Sequence, residues 1–232
     1  MTLPILSGPT AAFLSRYGEA QPWISDLFQL PHGFSLRLLG IDGDADADAL
    51  GPWRLTISGC FHSQVRALEP RLPPRETHEV RVLLLHHSFQ PGRDWSPTSL
   101  LRRICPESRA ALARCVADLG ISVVLTGHHH YWYRVRLKDL KGMEGAGNAY
   151  EFRTGTTVLD VGETYQAQKD FDNAMSEVED DPTGFREFNS LMRHTLCMEG
   201  SKLLWRCRRF VRFYPNGFGQ SPYGPDWDLT MG

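Results

Sequence analysis

Two groups of histidines stand where apolar runs end. The stretch "VLLLHHSF" sets His86 and His87 behind a Val/Leu run, and "VVLTGHHHYW" sets His128, His129 and His130 behind Gly127. A neutral imidazole is a good ligand for a transition metal. Three imidazoles converging on one point suit Zn, Mn, Fe, Co or Ni, with Zn–N near ~2.0–2.1 Å. A single histidine at a strand end more often satisfies a loop carbonyl. Two groups at the ends of neighbouring strands would meet in one place, and that is a different object.

The elements around them decide whether they meet. "EVRVLLLHHS" (79–88) reads as a strand buried on both faces, as does "ISVVLTG" (121–127). Between them Ser96 before Pro97 reads as a cap followed by a first-turn proline. A helix near 106–119 starts at Pro106, carries Leu112, Cys115, Val116 and Leu119 on one face, and closes at Gly120 as a left-handed cap. Strand, helix and strand in this order imply a parallel pair with a right-handed crossover. Parallel neighbours end on the same sheet edge, where open α/β sheets build their sites. Alternation within "GHHH" would send His128 and His130 one way and His129 the other, with Gly127 easing a sharp turn. His86 or His87 could then converge with His128 and His130.

Elsewhere the pattern is plainer. "TAAFLSRYG" fits one short helix within an irregular lead-in over 1–33, and "FSLRLLGID" (34–42) a strand. "WRLTIS" (53–58) fits a poorer strand and "SQVRALEPRL" (63–72) a short helix broken at Pro70. "YWYRVRLKDL", "EFRTGTTVLDV" and "LWRCRRFVRF" alternate, which predicts a more antiparallel sheet in the last third, and residues 170–184 form an acidic, turn-rich excursion. "DGDADADALG" (42–51) reads as a solvated acidic loop, with a cation-binding loop as the alternative.

Composition narrows the class. A 232-residue chain with 41% hydrophobic and 22% charged residues is an ordinary globular protein, long enough for a proper core. A net charge of −2 gives no whole-chain signal for nucleic acid or an anionic membrane. No 18-residue apolar run predicts a spanning helix, and "MTLPILSGPT" does not resemble a secretion signal. Five widely spaced cysteines without a C-x-x-C read as reduced core residues, so the expected compartment is the cytoplasm.

The paired motifs carry a family likeness. "VLLLHHSF" followed by "VVLTGHHHYW" resembles the second half of the calcineurin-like metallophosphoesterases, which end one strand in His-[His/Asp/Tyr]-Pro and the next in Gly-His-x-His. "EFRTGTT" and the N…H…G…W…F pattern of "FNSLMRHTLCMEGSKLLWRCRRF" are also similar to its bacterial members. The likeness spans about 34–218, leaving 219–232 as a tail, and implies one domain over 1–232. The implied fold is α/β: a layered αββα sandwich of mixed sheets flanked by helices. The implied activity is metal-dependent hydrolysis of phosphate mono- or diesters, with two Mn, Zn or Fe ions ~3.5–4 Å apart polarising the phosphate for in-line attack. By that resemblance His86 and His128 hold one metal and His130 faces the other. His87 and His129 are further candidates, and Ser88 stands where the family has proline. Arg93, Trp95 and Tyr131 follow the two strand ends; of these Arg93 is the candidate for contact with the phosphate-ester substrate.

The family's first half carries Asp-x-His, Gly-Asp-x-x-Asp and Gly-Asn-His, and this sequence contains none of them; its nearest match, Gly43-Asp44, has Ala47 where the second Asp belongs. The chain therefore reads as a fold incomplete at its N-terminus, which predicts unpaired edges, self-association or need of a complementary half. Two other readings follow from the same gap: a non-catalytic interaction module that keeps the fold, or a single three-histidine metal centre.

Overall fold

A computed structural model describes residues 22–43, 45–46, 59–89, 104–127, 133–153, 190–213, 217–220 and 227–231. The helix expected in "TAAFLSRYG", the strand 53–58, the Ser96–Pro97 cap, the excursion 170–184, and Arg93, Trp95, His128, His129, His130 and Tyr131 lie outside the described residues.

Eleven strands and two α-helices are described: β1 (Trp23–Ile24), β2 (Phe28–Gln29), β3 (Ser35–Ile41), α1 (His62–Leu68), β4 (Glu79–Leu85), α2 (Pro106–Asp118), β5 (Ile121–Thr126), β6 (Tyr133–Arg136), β7 (Tyr150–Arg153), β8 (Ser190–Glu199), β9 (Lys202–Phe213), β10 (Gly217–Gln220) and β11 (Trp227–Met231). Seven strands form one mixed sheet in the order β1-β3-β4-β5-β7-β6, with β2 also pairing β3. β3, β4, β5 and β7 are mutually parallel. β1, β2 and β6 run antiparallel at the margins. In the second, fully antiparallel sheet, β9 pairs β8, β10 and β11.

The layers follow from side-chain alternation. Leu83 and Leu85 of β4 pack with Leu112, Cys115 and Val116 of α2 and Val65 and Leu68 of α1. Val80 and Val82 point the other way, onto Leu203, Trp205 and Cys207 of β9. The central sheet is thus buried on both faces, which is why its strands are apolar runs. One extra residue, Ser122, enters β5 where the register shifts between Arg81 and Val82. That shift lets Ile121 and Val124 both face the helices. The described residues therefore make three layers: helices, mixed sheet, antiparallel sheet. The class is α/β, as expected.

α2 matches the sequence reading. Pro106 opens it, and it closes through Leu119 onto Gly120 at φ +62°. The last third is more antiparallel, as expected, with one departure: β6, β8, β9, β10 and β11 are antiparallel to their partners, while β7, antiparallel to β6, joins β5 in parallel. Strand direction follows the connections rather than the alternation.

The amino ends of the parallel strands are fixed by a buried charge cluster. The Glu79 carboxylate accepts from Arg37 Nε at 2.8 Å and from Arg81 Nε at 2.9 Å. Burial raises the Glu79 pKa, and these arginines with the Glu76 N–H outweigh it, so the carboxyl sits below its ordinary value. All five cysteines are free thiols, four of them buried.

Candidate functional site

At the carboxyl edge the register Ile41↔Leu85 and Leu85↔Thr126 brings the next residues, Asp42, His86 and Gly127, side by side on three parallel strands. The Gly127 N–H extends the ladder by donating to the His86 carbonyl at 3.1 Å. The residue that opens the triple histidine is therefore one peptide bond from a residue bonded to His86.

The two histidines of β4's end part company. His86 is exposed and His87 is 1% exposed. Their rings meet edge to face with centroids 5.3 Å apart. His87 turns toward β3, where its Nδ1 edge lies against Gly43; a β-carbon there would collide with it. Gly43 is thus the glycine this edge requires. Gly127, expected to need glycine's freedom, has no positive φ, and a β-carbon there would meet His86 only in ordinary contact, at 3.8 Å.

Asp42 is exposed at this edge, and its N–H donates to Gln64 Oε1 of α1 at 2.9 Å. Asp46, read as part of a solvated loop, instead accepts from the Ser63 backbone N–H at 2.8 Å and from its hydroxyl, with His62 Nδ1 at 3.1 Å. It ties the loop to the start of α1. Burial pushes its pKa up, but the Ser63 hydrogen bonds and the charges of His62 and Arg66 bring it below the ordinary aspartate value.

Behind the histidines lies a polar network that the sequence reading missed. Glu151 and Arg153 of β7 are both 0% exposed and face the helix layer. Glu151 Oε1 accepts from Ser88 Oγ and from Thr126 Oγ1, each at 2.6 Å. The Phe89 N–H also points at this carboxylate, 3.3 Å from either oxygen. Arg153 Nη1 donates to Ser88 Oγ at 2.7 Å. Ser88 is the hub: it donates to Glu151 and accepts from Arg153, which a proline at this position could not do. Burial lowers the Arg109 guanidinium of α2 below its usual range, with the Glu151 and Glu144 charges opposing. The network clamps the segment just after His86 and His87 to the ends of β5 and β7. The sequence signal was the pair of opposite charges at alternate positions of "YEFR", on one face of a strand.

The tail pattern resolves into packing. Gly200, φ +61°, turns the β8–β9 hairpin, and Trp205 Nε1 donates to His194 Nδ1 at 3.0 Å. The His194 ring also meets Phe152 of β7 edge to face at 5.3 Å, between the two sheets. Burial drops its pKa to about 4. A cleft of about 710 Å³ opens at the other end of the sheet, bordered by Arg75, Gly120, Tyr150 and Asp228. None of the described histidines lines it.

Among the described residues no group of three or more His, Cys, Asp or Glu is gathered as a metal centre. None of the described helices is long and apolar enough to cross a membrane. No protein-family model matches the chain, and no curated protein does. Among solved structures, it is similar to a Staphylococcus aureus protein described as a 5'-nucleotidase, solved in complex with alpha-ketoglutarate, at 9% identity and a TM-score of 0.30. The match covers 89% of this chain but 29% of that one. A likeness this slight carries no function.

Proposed function

We propose that the chain carries half of a metal-dependent phosphate-ester hydrolase site, at the edge where β3, β4 and β5 end. One observation supports this above the rest: the parallel register sets Asp42, His86 and Gly127 abreast, with Gly127 bonded to His86 and followed directly by His128, His129 and His130. The residues fit a divalent ion. An exposed imidazole and an exposed carboxylate share the edge, and nitrogen with oxygen donors suits Mn, Zn or Fe. His86, His128, His130 and Asp42 would hold it. His87 supports β3 through its packing on Gly43, and His129 stands between His128 and His130 in the sequence. When bound, the metal supplies Lewis-acid polarisation of the phosphate. The protein's part is to aim His86 through the Ser88–Glu151 clamp and to offer Arg93 to the phosphate. The remaining carboxylates come from a complementary polypeptide segment.

The test is hydrolysis of p-nitrophenyl phosphate and bis-p-nitrophenyl phosphate with added Mn or Zn. Metal-dependent turnover that falls at least about 100-fold in His86→Ala supports the reading. Turnover equal in wild type and variant contradicts it.

A further inference from the structure

Cys60 and Cys105 come from two segments that lead into α1 and α2, and both are buried, at 1% and 5% exposure. Two hydrogen bonds hold those segments side by side. The Cys105 N–H donates to the Gly59 carbonyl at 3.1 Å, and the Phe61 N–H donates to Ser108 Oγ at 2.7 Å. Cys60 sits between these two bonds, with Cys105 among the groups that act on its thiol, and Cys105 Sγ donates to Ser108 Oγ at 3.1 Å. The Cys60 carbonyl accepts from the Asp46 N–H at 2.8 Å, which links this corner to the loop after Asp42.

We propose that Cys60 and Cys105 are a redox modification site, converted to an intramolecular disulfide by small disulfides such as oxidised glutathione. One cysteine loses its proton, and its thiolate attacks the small disulfide, releasing one glutathione thiolate. The second cysteine then attacks the protein-side sulfur of the mixed disulfide and releases the other. Two protein thiols become one disulfide, one glutathione disulfide becomes two thiols, and the two protons pass to the leaving thiolates. The bridge ties the lead-in of α1 to that of α2, directly behind the edge that carries Asp42 and His86. Burial pushes the Cys60 thiol up to about 12, so thiolate is scarce at neutral pH. Bridging is therefore slow there and quickens about tenfold per pH unit above it.

The reduced full-length chain is equilibrated with oxidised glutathione at pH 8.5, acid-quenched, alkylated in denaturant, weighed intact and peptide-mapped. Of the five thiols, two are expected to escape alkylation, with Cys60 joined to Cys105. The thermal midpoint should rise by roughly 5 °C or more and fall back on reduction. Cys60→Ser should show all four remaining thiols alkylated and no rise. Five alkylated thiols after equilibration, at pH 8.5 and again at pH 9.5, overturn the proposal, as does a bridge through Cys115, Cys197 or Cys207. The wild-type map decides the matter even where the variant does not fold.

Discussion

The Nδ1 edge of His87 occupies the space that a β-carbon on Gly43 would need. The end of β3 and the end of β4 are thereby packed imidazole to backbone. Gly43→Ala should cost about 1–3 kcal/mol, because neither partner is at the free end of a flexible chain. Denaturant unfolding measures it. The double variant with His87→Ala should lose clearly less than the sum of the two single changes, since the clash disappears with the ring. Strict additivity would mean the two residues do not touch.

The Ser88–Glu151–Arg153 clamp should dominate the stability of the same edge. Glu151→Gln keeps the shape, removes the carboxylate that accepts from the Ser88 and Thr126 hydroxyls and turns an amide toward these donors. Hydrogen bonds to a charged group are worth about 1.5–3 kcal/mol each, so losing this pair costs about 3–5 kcal/mol. Ser88→Ala removes one hub and should cost less, about 1–3 kcal/mol. Urea unfolding compares them. A Glu151→Gln cost under about 1 kcal/mol would show that the carboxylate is not holding the Ser88 and Thr126 hydroxyls.

His194 gives a pH signature. Its folded pKa is about 4, against 6.5 for the ordinary group. The unfolded chain binds the extra proton first, so this contribution is complete above about pH 6.5 and is lost as pH falls toward 4. At ~1.4 kcal/mol per unit, the whole effect is at most about 3.5 kcal/mol. The Trp205 N–H aimed at Nδ1 requires that nitrogen to be unprotonated. His194→Gln should therefore flatten the slope of stability between pH 4 and 6.5 relative to wild type. An unchanged slope would place the titration elsewhere.

What the sequence made legible was whatever is buried on both sides or capped by a special residue. The Val/Leu runs of β4 and β5, Pro106 and Gly120 each have one reading, and the histidine edge follows from the crossover between them. The direction of β7 was not legible, because "YEFR" alternates identically whether it runs with β5 or against it. Glu151 and Arg153 were hidden for a different reason: charge in a strand normally marks the solvent face, and here each charge is buried by its partners. Asp46 was misread on the same rule, since its carboxylate faces α1 rather than water. The glycine of the edge was assigned to position 127, where the motif draws the eye. The steric need is at Gly43, visible only once His87 is placed.

The most direct measurement is metal bound per folded chain, by equilibrium dialysis against Mn or Zn and elemental analysis, for wild type, His86→Ala and His128→Ala. His86 and Gly127 are bonded neighbours on adjacent strand ends, so the account predicts bound metal in the wild type and its loss in both variants, with the fold intact by circular dichroism. Two ions lost together would indicate a binuclear centre, and one ion a three-histidine centre. Wild-type binding that survives both substitutions, or a folded wild type that binds no metal at all, would contradict the site proposed for this edge.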